Sequence, residues 1–404
     1  MLLPLHNCTF ESLSTWNVLP LLRCLYKVKY CNEPVKAYLA HLPFGQESDQ
    51  VDPIWSKHYF VLKICVVEIG SCSTRVGLVQ DKLTLPHLFF PSVLAETTDG
   101  RSFSHLLAFY QDFNEIDFVY EKLAANSALF CSDRLNLDKV TQVFRAIFDK
   151  MGIHPPSFQL LLSLPLIVSR SKVIDVLRLL LQEFQFKGVA IERQVNLALI
   201  ALDAKTGVVV DMGNKLSIVA IYDGDFLLAF SYSLEMNRLL RNRLANKGYG
   251  FSFDACKEQN LLRYVKEKHG ALNRSIEMSQ ERFETTEMLF SPKRWGLDSK
   301  GLHELVNQCI KSSPIDNRRE LFRSIYLVGG MSLFPGLPER LESELRRMVP
   351  PNVEVTVYAA PWRYHASFLG AKIVADTNLT QKILITQSNM DDSISQSFLG
   401  ISVI

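Results

Sequence analysis

The chain reads as an α/β protein assembled from two related halves. Strand and helix patterns alternate from Ile64 onward, and two helices carry clean apolar faces. The hexapeptide VVEIGS at 66–71 returns as VVDMGN at 209–214. Strands interleaved with helical patterns mark a sheet whose parallel strands are joined by crossover helices. A motif recurring in matching strand contexts points to two domains that face one cleft.

In chain order, residues 1–63 are rich in aromatics and turn formers and have no period; Pro43, Gly45 and Pro53 punctuate a loop at 41–53. The stretch VVEIGSCSTRVGLV (66–79) runs as a strand to Glu68, turns at Gly70-Ser71, and continues as a second strand carrying Arg75 and Gly77. An ordinary hairpin would show this pattern. So would an anion cradle, because glycine lets backbone N–H groups approach a phosphate without a Cβ in the way.

DKVTQVFRAIFDKM (138–151) places Val140, Val143, Phe144, Ile147, Phe148 and Met151 on one helical face. FQLLLSLP (158–165) suits a buried strand, and RSKVIDVLRLLLQEF (170–184) a helix with Val173, Ile174, Leu177, Leu180, Leu181 and Phe184 inward. Residues 207–230 read as strand, turn, strand, an Asp223-Gly224 turn and a further strand. A third glycine element, Gly329-Gly330 within 326–345, follows a strand and leads toward a helix whose N-terminus would favour an anion. Carboxylates at the two repeated turns, Glu68 and Asp211, suit a hydrated Mg²⁺, which usually keeps several waters.

Bulk properties bound the class. The 404 residues are enough for two or more domains. An apolar share of 48% with 21% charged residues is globular rather than disordered, and a net charge of +2 gives no sign of nucleic-acid binding. None of the eight cysteines forms a C-x-x-C pair, which favours reduced thiols over a zinc site. No apolar run nears the ~20 residues of a membrane span. MLLPLHNCTFESL is a poor secretion signal, so a soluble intracellular protein is expected. His269 and His303 are isolated, and the basic run RLLRNRLANK (238–247) reads as a solvated helix face.

Longer motifs carry a family resemblance. Residues 282–330 run RFETTEMLFSPKRWGLDSKGLHELVNQCIKSSPIDNRRELFRSIYLVGG, and Phe334-Pro335-Gly336 follows. With 190–213, 248–268 and 361–375, this resembles the actin and actin-related family over roughly 64–390. The resemblance implies an actin-like two-domain α/β fold with ATP or ADP and Mg²⁺ in the central cleft. The expected division is an extension at 1–63 and a first domain at 64–206, with 95–137 as its second subdomain. A second domain at 207–350 has a shortened fourth subdomain, and 351–404 returns to the first domain.

Carried over by position, Glu68, Gly70, Ser71 and Arg75 would form the first phosphate loop, and Asp211, Gly213 and Asn214 the second. Lys266 and Glu267 would face base and ribose, and Gly329, Gly330, Met331 and Ser332 would complete the adenosine pocket. Glu68 and Asp211 would hold the metal through water. Gln194 falls where the family orients the attacking water, although a buried helix amide with a structural partner is an equal reading.

Departures qualify this. Glu68 stands for an aspartate and Cys72 for a glycine. Asn214 and Lys215 replace an Asp-Gly pair, and Tyr364 replaces a lysine near the base. Ile218 occupies a histidine position and can neither donate nor relay a proton. Nucleotide binding with little or no hydrolysis is therefore expected, with Lys215 as a fixed cation near the phosphates. Lys293 and Arg294 stand where actins carry an apolar plug, which disfavours a dry strand-to-strand contact.

The expected role is that of a structural or interaction subunit of a cytoskeletal or other multiprotein assembly. Its partners would be actin-like or cytoskeletal proteins, without direct nucleic-acid contact or membrane insertion. Its place would be the cytoplasm and cytoskeleton, with the nucleus as an alternative. A polymerising actin-like ATPase and a nuclear chromatin-remodeller subunit are the competing readings. A sugar kinase or chaperone of the same broad fold would need a substrate base or peptide-binding domain that the sequence does not supply.

Overall fold

The computed structural model describes residues 63–71, 73–79, 83–96, 102–103, 127–128, 130–131, 134–213, 215–233, 286–377 and 379–395. Expectations that fall on the extension, on most of 95–133 and on 234–285 lie outside these residues.

Two five-stranded sheets carry the fold. The first is ordered β10-β9-β1-β2-β3, from β1 (Ile64–Ile69), β2 (Ser73–Leu78), β3 (Leu88–Pro91), β9 (Gln159–Leu164) and β10 (Gly188–Arg193). The second is ordered β13-β12-β11-β14-β15, from β11 (Gly207–Met212), β12 (Lys215–Tyr222), β13 (Asp225–Ser233), β14 (Ile325–Val328) and β15 (Val357–Tyr358). Between them in sequence lie β4 (Val93–Glu96), paired with β5 (Ser102–Phe103) and β6 (Ser127–Ala128), and β7 (Phe130–Cys131), paired with β8 (Arg134–Leu135).

The two large sheets share one wiring. Each begins with an antiparallel meander, β1-β2-β3 or β11-β12-β13. Each then adds two parallel strands on the far side of its first strand. The repeated hexapeptide thus occupies topologically equivalent places, the ends of β1 and β11. All six residues of β1 and of β9 are buried, as expected for strands covered on both faces.

The layers run helix, sheet, helix pair, sheet, helix. Outside the first sheet packs the helix Leu137–Met151, which is N-capped by Asn136 accepting from the Lys139 amide at 3.1 Å. Five of its six predicted inward residues, Val140, Val143, Phe144, Ile147 and Phe148, are buried, and Met151 packs at the edge. Outside the second sheet pack Leu302–Ser312 and Leu337–Arg346.

Between the sheets lie the helices Gln194–Ala201 and Ala366–Ala375, buried on most sides. Val195 and Leu369 belong to the core against the second sheet, Leu197 and Phe368 to that against the first. The two helices touch through their backbones: a Cβ on Gly370 would lie 1.8 Å from the Leu197 carbonyl oxygen, so only glycine fits there.

Local expectations held in most places and shifted in two. Asp223 and Gly224 both have positive φ, 48° and 88°, as a two-residue hairpin turn requires. The helix expected over 170–184 is α-helical only to Arg178, and a π turn follows at Leu179–Glu183. Val176 is buried, Ile174 only half-buried, and Leu179, Leu180 and Leu181 all enter the core in succession.

The second shift concerns the glycine pair. The glycine pair opens into one 3-10 turn, Gly330–Leu333, where the Ser332 amide and hydroxyl both donate to the Gly329 carbonyl, at 3.3 and 2.6 Å. The longer helix begins after Gly336, which has φ 76°.

Candidate functional site

The turns that follow β1 and β11 face one another across a cleft, which 329–331 completes. Of the residues singled out from sequence, Glu68, Gly70, Ser71, Arg75, Gln194, Asp211, Gly213, Gly329, Gly330 and Met331 line it. Ser332 does not line it; it is fully buried and engaged in the turn below. Asn214, Lys266 and Glu267 lie outside the described residues.

Pro165, Ile167, Ser217, Arg363 and Ser367 also line the cleft and were not singled out. Two of them had a readable signal. Pro165 follows the carboxyl end of a parallel strand, where open α/β sheets place their ligands. Ser217 is the cross-strand partner of Asp211 in the hairpin.

In the first turn, Glu68 and Arg75 stand directly opposite across the β1-β2 pair. Arg75 Nη1 donates to Glu68 Oε1 at 3.0 Å, Nε to His365 Nδ1 at 3.0 Å and Nη2 to the Tyr364 carbonyl at 3.1 Å. Its guanidinium also lies 4.9 Å from the Phe89 ring centroid and 5.1 Å from that of Tyr364. Arg75 is only 7% exposed. Burial and Arg75 together hold the His365 imidazole well below its ordinary range, so the ring is neutral and its Nδ1 accepts.

The turn itself is tight. The Gly70 amide donates to the Ser73 carbonyl at 2.9 Å, and the Ser92 hydroxyl holds the Gly70 carbonyl at 2.6 Å. The Gly70 N–H is thus committed within its own turn. Gly213 behaves alike, donating to the Lys215 carbonyl at 3.1 Å.

Gln194 Nε2 donates to the Ile69 carbonyl at 3.2 Å and to Glu68 Oε1 at 3.4 Å. Its NH2 group thus holds the end of β1 in place. Ile218 is fully buried in the core of the second sheet. Its side chain fills that core and offers no hydrogen-bonding group.

Two carboxylates give the cleft its charge. Burial pushes the Glu68 carboxyl up, against the pull of Arg75. Its second oxygen, Oε2, is buried and has no hydrogen-bond partner. The Asp211 carboxyl is pushed up to about 7, by burial first and then by the nearby Glu68 charge. Two like charges facing one space, one with an orphaned oxygen, are what a divalent cation relieves. The donor set therefore fits such an ion. No cluster of three or more ligating side chains exists among the described residues, so waters and ligand oxygens would complete its shell.

The second half also offers a close backbone approach. Gly329 has φ 86°, and a Cβ there would lie 2.7 Å from Asp211 Oδ1 and 2.8 Å from the Met212 carbonyl. The Tyr364 ring stands over Gly330, 3.2 Å from where its Cβ would be.

Comparison with known proteins agrees with this architecture. The family model described as Actin matches residues 62–245 and 273–396. Actin-related protein 2 of Schizosaccharomyces pombe is 30% identical over 362 residues, covering 77% of this chain and 90% of that relative. The matched segments include both glycine turns, the helix pair between the sheets and the Gly329-Gly330 element. The chain belongs to the actin family.

Proposed function

We propose that the cleft binds ATP or ADP with a divalent cation and hydrolyses it slowly if at all, and that the chain serves as a structural subunit of a cytoskeletal multiprotein assembly. One observation carries the first part: the unpartnered Glu68 Oε2 and the raised Asp211 carboxyl line one cleft between two equivalent strand ends. Such a pair suits Mg²⁺ brought in with phosphate oxygens. The ion would neutralise charge on the phosphates, and Glu68 and Asp211 would hold its waters.

Slow turnover follows from what surrounds that pair. Gln194 Nε2 is bonded to Ile69 and Glu68, and Ile218 is buried in the core of the second sheet. Neither an amide nor an alkyl side chain is a base that can take a water's proton. Gly329 packs against Asp211 and Met212 and Gly330 against the Tyr364 ring, and the base and ribose would lie beside this corner of the cleft.

The assembly role rests on family membership and on the surface. Lys293 and Arg294 are exposed on the 3-10 turn Pro292–Trp295. A polymer contact that buried this turn would desolvate two cations.

Thermal shift with Mg·ATP, ATP alone and Mg²⁺ alone tests the binding claim. Stabilisation should be largest for the complex, because a ligand that binds only the folded state raises stability by mass action. No shift at millimolar Mg·ATP would sink it. Sedimentation of the Mg·ATP-loaded protein tests the surface claim; long filaments would contradict it.

A further inference from the structure

A guanidinium carries five N–H donors in one plane. Arg75 spends three of them: Nε on His365 Nδ1, one hydrogen of Nη1 on Glu68 and one of Nη2 on the Tyr364 carbonyl. One hydrogen on each terminal nitrogen is left without an acceptor among the described residues, although the side chain is almost wholly buried and lines the cleft. Buried donors ordinarily find acceptors, so an unspent pair beside a cleft marks where a ligand oxygen would come.

The three bonds form a clasp. His365 directly precedes the helix Ala366–Ala375, so the clasp ties β2 of the first sheet to chain arriving from β15 of the second. Glu68 and the Tyr364 carbonyl hold the two terminal nitrogens and would alone leave the plane free to rock about the line between them. His365 removes that freedom by taking the Nε hydrogen at 3.0 Å. The neutral imidazole suits this task, because Nδ1 keeps its lone pair and the ring proton sits on Nε2. The Phe89 and Tyr364 rings stand edge-to-face with His365, their centroids 5.5 and 4.8 Å away, and limit its rotation in turn. Lys215 and Arg363 line the same cleft and add positive charge to it, whichever way Arg75 points.

We propose that His365 is a positioning residue for phosphate: by accepting from Nε it fixes the Arg75 plane so that the two remaining N–H groups meet a phosphate oxygen of the bound nucleotide. This deepens the nucleotide reading of the cleft given above and rests on it.

The test is calorimetric titration of Mg·ADP and of adenosine into the full chain and into His365→Phe and His365→Gln. The first substitution keeps a ring against its aromatic neighbours and removes the acceptor; the second keeps an oxygen that can take the Nε hydrogen. His365→Phe should weaken Mg·ADP by roughly tenfold, since a charge-assisted bond depends on geometry as well as charge. Adenosine, which has no phosphate, should bind within about twofold of the parent, and His365→Gln should recover most of the loss. Nitrogen NMR of the labelled parent chain should show His365 with a bare Nδ1 at about pH 7, a readout that requires no variant to fold.

A folded His365→Phe with parental Mg·ADP affinity would overturn the proposal and leave the nucleotide reading intact. So would a parallel loss of adenosine binding, which would make the histidine structural, or a His365→Gln no better than His365→Phe. A protonated Nδ1 in the parent chain would overturn it without any variant. If the parent chain binds neither ligand, the nucleotide reading falls and the proposal falls with it.

Discussion

Glu68 and Asp211 occupy equivalent places in the two sheets, each near the end of the strand from which a hairpin and two parallel strands extend. Across the hairpin, Glu68 meets Arg75 while Asp211 meets Ser217. The first acid is therefore answered by a buried cation that is itself fixed by two rings and two further acceptors. The second acid has no such answer, and among the described residues no side chain donates a hydrogen bond to it. One wiring thus gives one acid matched by a cation through a single oxygen, with Oε2 left unpartnered, and one acid that no described side chain answers. An incomplete site is where a charged ligand gains most.

The comparison breaks first at Arg75. Removing one member of a buried pair leaves the other charged and unpaired, so Arg75→Met should cost about 3–5 kcal/mol in chemical denaturation. Glu68→Gln added to it should recover more than half of that loss, a coupling that a double-mutant cycle reads directly. A single-variant loss below about 1 kcal/mol would mean that the first turn does not depend on the clasp.

The backbone of the turns offers a smaller test. A Cβ on Gly70 would stand 2.8 Å from the Ser73 carbonyl oxygen, whereas on Gly213 the nearest atom among the described residues is 3.7 Å away. Overpacking of this kind costs typically about 1–3 kcal/mol, so Gly70→Ala should lower the denaturation midpoint clearly. Gly213→Ala should shift it by less than about 1 kcal/mol. Equal shifts would erase the contrast between a tight and an open turn.

Asp211 gives the most diagnostic effect. Its folded-state pKa of about 7 lies above the ordinary value of 3.8, so the folded chain binds more protons than the unfolded one between those values. This group's contribution to stability is present in full below about pH 4 and is lost as pH rises through about 7. Asp211→Asn should remove that slope and raise ligand-free stability at pH 8. A less stable variant at pH 8 would show that the carboxylate already has a partner.

Much of this arrangement was legible in the chain. The recurrence of Val-Val-acid-x-Gly marked the two equivalent strands, and the Asp223-Gly224 turn and the 137–151 helix followed from local chemistry. The clasp was not, because Tyr364 and His365 lie 289 and 290 residues from Arg75. Half of it was in view: Glu68 and Arg75 sit symmetrically about a tight turn, which places them opposite in a hairpin. The commitment of the Gly70 and Gly213 amides was also hidden, since the same glycines serve an open cradle and a closed turn. The π turn at 179–183 carries no signature beyond an unbroken run of leucines.

The proposed cleft holds a nucleotide without consuming it. The most direct measurement is phosphate release from stoichiometric Mg·ATP under single-turnover conditions, with bound nucleotide followed in the same sample. The account predicts that ATP stays bound and intact over many minutes. Rapid phosphate release would restore a hydrolytic role in spite of Ile218 and the engaged Gln194, and failure to retain nucleotide would move the function to the surfaces.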